Sequence, residues 1–138
     1  INDNMSNWIS EQIILKMIKN KIDVRSANIL ILGFSFKENC SDIRNTKVIN
    51  IINKLIDYNP KITVVDPYAD VEKAQLYYSI KIKNKIPIKT KFDGIIVAVA
   101  HEQFIRFDLF FWQSLMNKDC IIMDIKNILP KEINSIKI

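Results

Sequence analysis

Phe36 and Lys37, followed by Asp42 and Arg44, form the densest grouping of side chains suited to a phosphorylated ligand. Phe36 offers an aromatic or apolar wall. Lys37 is a point charge for phosphate, and Arg44 is a forked donor for phosphate or an amide. Asp42 either orients Arg44 or caps a helix expected to begin near Arg44. The N-terminal amides and dipole of that helix would favour an anion. The same residues also read as a polar surface loop with two solvated cations, and residue types alone leave both readings open.

Other chemistries are excluded by what the chain lacks. Its two glycines, Gly33 and Gly94, cannot build the G-x-G-x-x-G turn by which a backbone approaches a dinucleotide pyrophosphate, nor a P-loop. The turn expected after the first strand is Gly33-Phe34-Ser35-Phe36-Lys37, bulky and cationic. Cys40 and Cys120 are too far apart for a CxxC metal or redox pair, and both read as structural. A single histidine, His101, rules out a His-based metal cluster. A Ser/His/Asp triad is formally possible, but no G-x-S-x-G elbow is present. His101 follows an apolar strand and reads as a loop or cap residue. Asp66 closes another strand and reads as a strand-end cap rather than a ribose ligand, since no glycine loop accompanies it. Phe104, Phe107, Phe110, Phe111 and Trp112 read as helix packing rather than a ligand cage.

These residues must be held by an alternating framework. Asp3 to Asn20 is an amphipathic helix, with Met5, Ile9, Ile13 and Met17 in an i+4 row widened by Trp8, Ile14 and Ile18. Asn2 or Asp3 caps its start. The row needs a surface to cover: it is expected to be partly exposed in a lone monomer, and either to self-associate or to pack against its own domain. Ala27 to Phe34 is an apolar run fit for a strand buried on both faces. A polar loop, Ser35 to Asn45, precedes a helix marked by Val48, Ile51, Ile52, Leu55 and Ile56, which Asn59-Pro60 stops. Further strands are expected at Lys61 to Val65, Ser79 to Lys83, Gly94 to Ala100, Cys120 to Ile125 and Ile133 to Ile138. Helices are expected at Val71 to Tyr77 and Asp108 to Met116. This alternation predicts an α/β fold, a Rossmann-like three-layer domain with a mainly parallel sheet. Ligands of such sheets bind at the carboxyl ends of the strands, near a switch point. That places the residues after Phe34, Val65, Ala100 and Ile125 at the site.

With 138 residues the chain has one domain's worth of core. The net charge of +5 rests on lysine, which outnumbers arginine 17 to 3. The densest basic stretch, Lys81 to Lys91, has no aromatic residue alternating with its lysines to stack bases. No nucleic-acid partner is therefore expected. No apolar run approaches the roughly 20 residues of a membrane span. The start has no signal-peptide pattern and opens at Ile1 rather than Met. These features lead to the expectation of a cytoplasmic, excised fragment.

The segment G-F-S-F-K-E-N-C-S-D-I-R-N-T, Gly33 to Thr46, resembles the G-x-x-F-K-x-x-x-x-D-x-R-x-S/T motif of the UDP-glucose/GDP-mannose dehydrogenase family. V-V-D-P-Y at Val64 to Tyr68, D-G-I-I-V-A-V-A-H at Asp93 to His101 and D-I-K-N-I-L at Asp124 to Leu129 follow in the family's order. The opening I-N-D-N-M resembles the family's long central helix. The resemblance implies that residues 1–24 are the end of a central dimerisation helix and residues 25–138 a C-terminal UDP-binding domain. It implies that Phe36, Lys37 and Lys126 meet the UDP-sugar, and that Arg44, with Asp42, serves NAD in the domain cleft. The family oxidises the sugar C6 alcohol to a carboxylate with two NAD and a Cys-bound intermediate. Its nucleophilic cysteine lies in a G-G-x-C segment absent here, so no catalytic residue is assigned and the chain alone should be inactive. NAD would be bound mainly by a domain outside this chain, and the whole enzyme would be a homodimer. Lys126 stands where UDP-glucose dehydrogenases usually carry Arg. D-I-K-N therefore resembles the branch that acts on UDP-N-acetylhexosamines in surface polysaccharide (capsule) biosynthesis, although Asn127 replaces that branch's Gly. The alternatives are a UDP-glucose 6-dehydrogenase domain and a stand-alone nucleotide-binding module.

Overall fold

The computed structural model describes residues 2–138; Ile1, the first residue of the segment assigned to 1–24, lies outside them. Helix α1 (Asp3–Lys19) starts at Asn2, whose side-chain oxygen accepts the Met5 N–H at 2.9 Å. The remaining elements alternate as the sequence predicts: β1 (Asn28–Leu32), α2 (Val48–Ile56), β2 (Lys61–Val65), α3 (Val71–Tyr78), β3 (Ile82–Lys83), β4 (Phe92–Val97), α4 (Glu102–Ile105), α5 (Leu109–Ser114), β5 (Met116–Asp124) and β6 (Ile136–Lys137).

The six strands form one sheet in the order β3-β2-β1-β4-β5-β6, every neighbouring pair parallel. The chain runs outward from β1 to β3, then returns to start β4 on the other side of β1. That reversal between β1 and β4 is the switch point of a doubly wound sheet. Alternation along the central strands sorts the core into two faces. Ile29 and Ile31 of β1 pack with α1 and α2, while Leu30 and Leu32 face Phe104 and Trp112 on the opposite side. Helices on both faces explain why the strands read as unbroken apolar runs.

Of the two outcomes expected for the α1 row, packing against its own domain is the one found, so the row is less exposed than expected. Ile9, Ile13, Ile14 and Met17 are buried in the same core as β1 and α2, and Met5 is half-buried. The Met17 side chain lies over Gly94 of β4; a Cβ there would come within 2.5 Å of Met17 Cε. Trp8, Leu15 and Ile18 remain outside and exposed. Several boundaries also move. The expected helix Asp108 to Met116 ends at Ser114, because β5 begins at Met116 and pairs with Phe92. Helix α4, a single turn, was not expected, being shorter than the window over which helical periodicity is read. The edge strands expected at Ser79 to Lys83 and Ile133 to Ile138 shrink to two residues each.

Candidate functional site

The loop from Gly33 to Lys47 crosses the carboxyl end of β1 at the switch point. Gly33 opens it with φ +100°, and a Cβ at that position would lie 2.5 Å from Val99 Cβ and 2.8 Å from Val99 N. The glycine is thus required by the turn and by close packing on the segment after β4. Phe34 turns inward and is fully buried, edge-on to Tyr78. Phe36 turns outward, 54% exposed, and its N–H donates to the Asp42 carbonyl at 2.7 Å. That bond ties the two ends of the loop's tip together.

The loop is held from below by Asp66. Its carboxylate is fully buried and accepts the N–H groups of Phe34 (2.7 Å), Ser35 (2.8 Å), Tyr68 (2.8 Å) and Ala69 (2.9 Å), and lies 2.8 Å from His101 Nε2. Burial pushes this carboxyl's pKa up, but the hydrogen bonds from His101, Phe34 and Ser35 outweigh it and hold the pKa down at about 2. The expected strand-end cap is therefore a hub joining β1, β2 and the segment after β4. His101 takes the cap position of α4 by its backbone, while its buried ring points inward instead of capping.

One cavity, about 320 Å³, opens beside this loop. Phe36, Lys37 and Lys126 all line it, with Ser35, Glu38, Asn45, Lys47 and Val99. Sequence reading missed Lys47, whose signal was its place directly after Thr46 at the mouth of α2. Lys126 arrives from the turn after β5. Asp124, buried at the end of β5, accepts the N–H groups of Ile128 and Leu129, each at 3.1 Å, and so folds that turn. Asn127 takes a left-handed φ of 57°, a conformation asparagine tolerates, which accounts for its standing where glycine was expected.

Asp42 and Arg44 line a different cavity, about 450 Å³, with Asp70, Lys73 and Tyr77. Arg44 donates to Asp42 from its backbone N–H (2.9 Å), Nε (3.0 Å) and Nη2 (2.9 Å). Of the two roles left open for Asp42, the structure shows the orienting one. The side-chain hydrogen bond from Arg44, and then its backbone N–H, hold the Asp42 carboxyl at about 2, and Asp42 in turn raises the Arg44 guanidinium pKa. The expectation of a helix beginning near Arg44 is corrected. Helix α2 starts at Val48, its first N–H bound by Thr46 Oγ1 at 3.2 Å, and Arg44 lies in a turn before it. The backbone cannot enter the helix earlier because Asn45 has a left-handed φ of 59°.

The cysteines lie outside both cavities. Cys40 Sγ accepts the Asp42 N–H at 3.4 Å, a contact internal to the loop. Cys120, on β5, has its thiol pushed up to about 12, first by burial and then by the charge of Asp93. Such a thiol is protonated at neutral pH and a poor nucleophile. Phe104 and Trp112 pack in the core as expected, whereas Phe110 stands exposed. The lysines from Lys81 to Lys91 are solvated. Among the described residues, no group of three or more His, Cys, Asp or Glu side chains gathers for a metal ion. Among them too, no helix is long and apolar enough to cross a membrane.

Comparison with known proteins bears on the family and the fold. Over all 138 residues the chain is 38% identical to UDP-N-acetyl-D-glucosamine 6-dehydrogenase of Salmonella typhi, and 34% identical to the Pseudomonas aeruginosa protein of that name. It spans 32% of the length of each. Over 133 residues it is 36% identical to Protein CapL of Staphylococcus aureus, covering 96% of this chain and 31% of that one. Among solved structures, NDP-N-acetyl-D-galactosaminuronic acid dehydrogenase from Methanosarcina mazei Go1 shares the fold. Its TM-score is 0.81 at 17% sequence identity, over 95% of this chain and 27% of that one. The model of the UDP-glucose/GDP-mannose dehydrogenase family's UDP binding domain matches residues 30–131, the span that holds both cavities, and the chain belongs to that family.

Proposed function

We propose that this chain anchors the UDP part of a UDP-N-acetylhexosamine for an NAD-dependent 6-dehydrogenase of surface polysaccharide biosynthesis. The observation that supports it best is the convergence of Lys37, Lys47 and Lys126 on one cavity at the switch point, beside the exposed ring of Phe36. Three ammonium groups suit a diphosphate, and an exposed aromatic ring suits a base or ribose face. In this reading residues 25–138 are the UDP-binding domain and residues 1–24 the helix leading into it. The names of the relatives and Lys126, in place of the Arg usual in UDP-glucose dehydrogenases, favour an N-acetylhexosamine over glucose.

The residues present fit NAD only at one contact. The turn after β1 carries no glycine loop, and Gly33 is committed to packing on Val99. The contribution of this chain to NAD is therefore assigned to Arg44, held in place by Asp42 in the second cavity. NAD itself, when bound, accepts the hydride from the sugar. The homodimer that the family resemblance implies is assigned to the outer stripe of α1, where Trp8, Leu15 and Ile18 are exposed.

Titration calorimetry with UDP tests the reading. Lys37→Ala removes a charge-assisted contact of roughly 1.5–3 kcal/mol, and UDP affinity should fall by one to two powers of ten. Raised salt should weaken the wild-type chain more than the variant. In the complete dehydrogenase, Arg44→Ala should act mainly on the NAD constant. Unchanged UDP affinity in Lys37→Ala would return the loop to the solvated-surface reading.

A further inference from the structure

We infer that His101 is a positioning residue, a latch that sets the backbone immediately after Lys37; the inference rests on the UDP reading of that lysine. His101 is fully buried at the carboxyl end of the sheet and lines neither cavity, so it touches no ligand there. Its two ring nitrogens face different groups. Nδ1 accepts the Asn39 N–H at 2.9 Å. A backbone amide can only donate, so Nδ1 carries no proton and the ring hydrogen sits on Nε2. Nε2 lies 2.8 Å from the Asp66 carboxylate and 3.2 Å from Ser35 Oγ. The hydroxyl of Ser35 donates to the Lys37 carbonyl at 3.0 Å, which leaves its lone pairs toward Nε2–H.

The chain of contacts therefore fixes the two peptides that follow the Lys37 Cα. Ser35 holds the Lys37 carbonyl, and His101 holds the Asn39 amide. Asn39 returns the contact, since its side-chain oxygen accepts the Glu102 N–H at 2.9 Å. Asn39 also sits at a left-handed φ of 56°, so the loop reverses there. The Tyr68 and Phe104 rings, with centroids 4.9 and 5.4 Å from that of His101, fix the plane of the imidazole. Asp66 is the charged group in hydrogen-bond contact with the ring. It sets the tautomer and leaves Nδ1 free for the loop.

Two substitutions split the two ends of the latch. In His101→Asn the amide oxygen falls where Nδ1 was and keeps the Asn39 contact, but nothing reaches Asp66. In His101→Gln the amide nitrogen falls where Nε2 was and keeps Asp66, but the Asn39 N–H loses its acceptor. UDP affinity measured by calorimetry should fall about tenfold in His101→Gln and stay within about twofold of wild type in His101→Asn. Thermal stability should run the other way, with the Asn variant the less stable. The Asn39 amide should exchange slowly in the wild type and His101→Asn, and fast in His101→Gln. Affinity that tracks stability through both variants would overturn the latch, leaving His101 a core residue. If Lys37→Ala leaves UDP binding unchanged, the UDP reading fails instead. The latch is then judged on Asn39 exchange, and equal rates in all three proteins would overturn it.

Discussion

Replacing Asp66 by Asn tests how the site is supported, because it changes one atom and removes a charge without changing shape. The carboxylate has two oxygens, and five donors point at them. Oδ2 takes Phe34 N–H, Ser35 N–H and His101, and Oδ1 takes Tyr68 N–H and Ala69 N–H. An amide has one acceptor oxygen. In its better orientation it keeps the Oδ2 partners and sets its NH₂ against Tyr68 and Ala69. Two buried donors are then unpartnered at roughly 1–3 kcal/mol each, so Asp66→Asn should cost about 2–6 kcal/mol at pH 7. A domain of this kind has only about 5–15 kcal/mol in all.

The pH dependence supplies an independent sign. The folded carboxyl has a pKa of about 2 against an ordinary 3.8. A depressed folded pKa means stability that is fully present above about pH 4 and is lost as pH falls through about 2. The loss amounts to roughly 2 kcal/mol across that window. Urea unfolding followed by far-ultraviolet circular dichroism, at pH 7 and in steps down to pH 3, measures both quantities. Asp42 is held low as well, so the quantity to read is the difference between wild type and variant, in which Asp42 cancels. That difference should be largest at neutral pH and narrow on acidification. A variant within about 1 kcal/mol of wild type at pH 7, or a difference that stays constant down to pH 3, would refute the hub.

The two glycines should respond unequally to alanine. Gly33→Ala meets a left-handed φ and the Val99 backbone and should destabilise by about 2–5 kcal/mol. Gly94→Ala meets mainly the flexible end of Met17 and should cost about 1 kcal/mol or less by the same urea assay; equal losses would contradict this account. In a Cys40→Ser background, Cys120 should react slowly with a thiol reagent at pH 8 while folded and quickly in urea, given its pKa of about 12. Fast reaction in the folded chain would show that burial does not protect it. Incubated with NAD and a UDP-sugar, this chain alone should form no NADH. Turnover that disappears in Cys40→Ala would overturn the structural reading of Cys40.

A cationic loop in place of a glycine loop changes what the switch point can bind. A glycine-rich turn presents backbone amides to a pyrophosphate at close range. Here Phe34 fills the interior behind β1, and the positive charge comes instead from Lys37, Lys47 and Lys126, which line the cavity together with Glu38. The separation of Arg44 from those lysines follows from the tip of the loop, where Asp42 closes on Phe36 through its carbonyl and on Arg44 through its carboxylate.

By itself the sequence determined the alternation of strands and helices and the parallel, two-faced burial of the sheet. Unbroken runs such as Asn28–Leu32 and the helical spacing of Val48, Ile51 and Leu55 are local records of where water is excluded. It also placed Phe36 and Lys37 at the carboxyl end of β1, where they line the cavity, because the end of β1 can be read from one short segment. Only the tertiary structure decided what meets them. Lys126 comes to Lys37 through the crossover connections and the parallel register of β1, β4 and β5, which no local window contains. The Asp66–His101 pair joins residues 35 positions apart. A buried carboxylate and an exposed cap look alike in one dimension, since both are an Asp after a strand. The start of α2 was misplaced because the left-handed turn at Asn45 delays helix entry and leaves no periodic mark. The burial of α1 came from long-range packing of Ile9, Ile13, Ile14 and Met17 with α2 and the sheet, including Met17 over Gly94, where the strand carries no side chain.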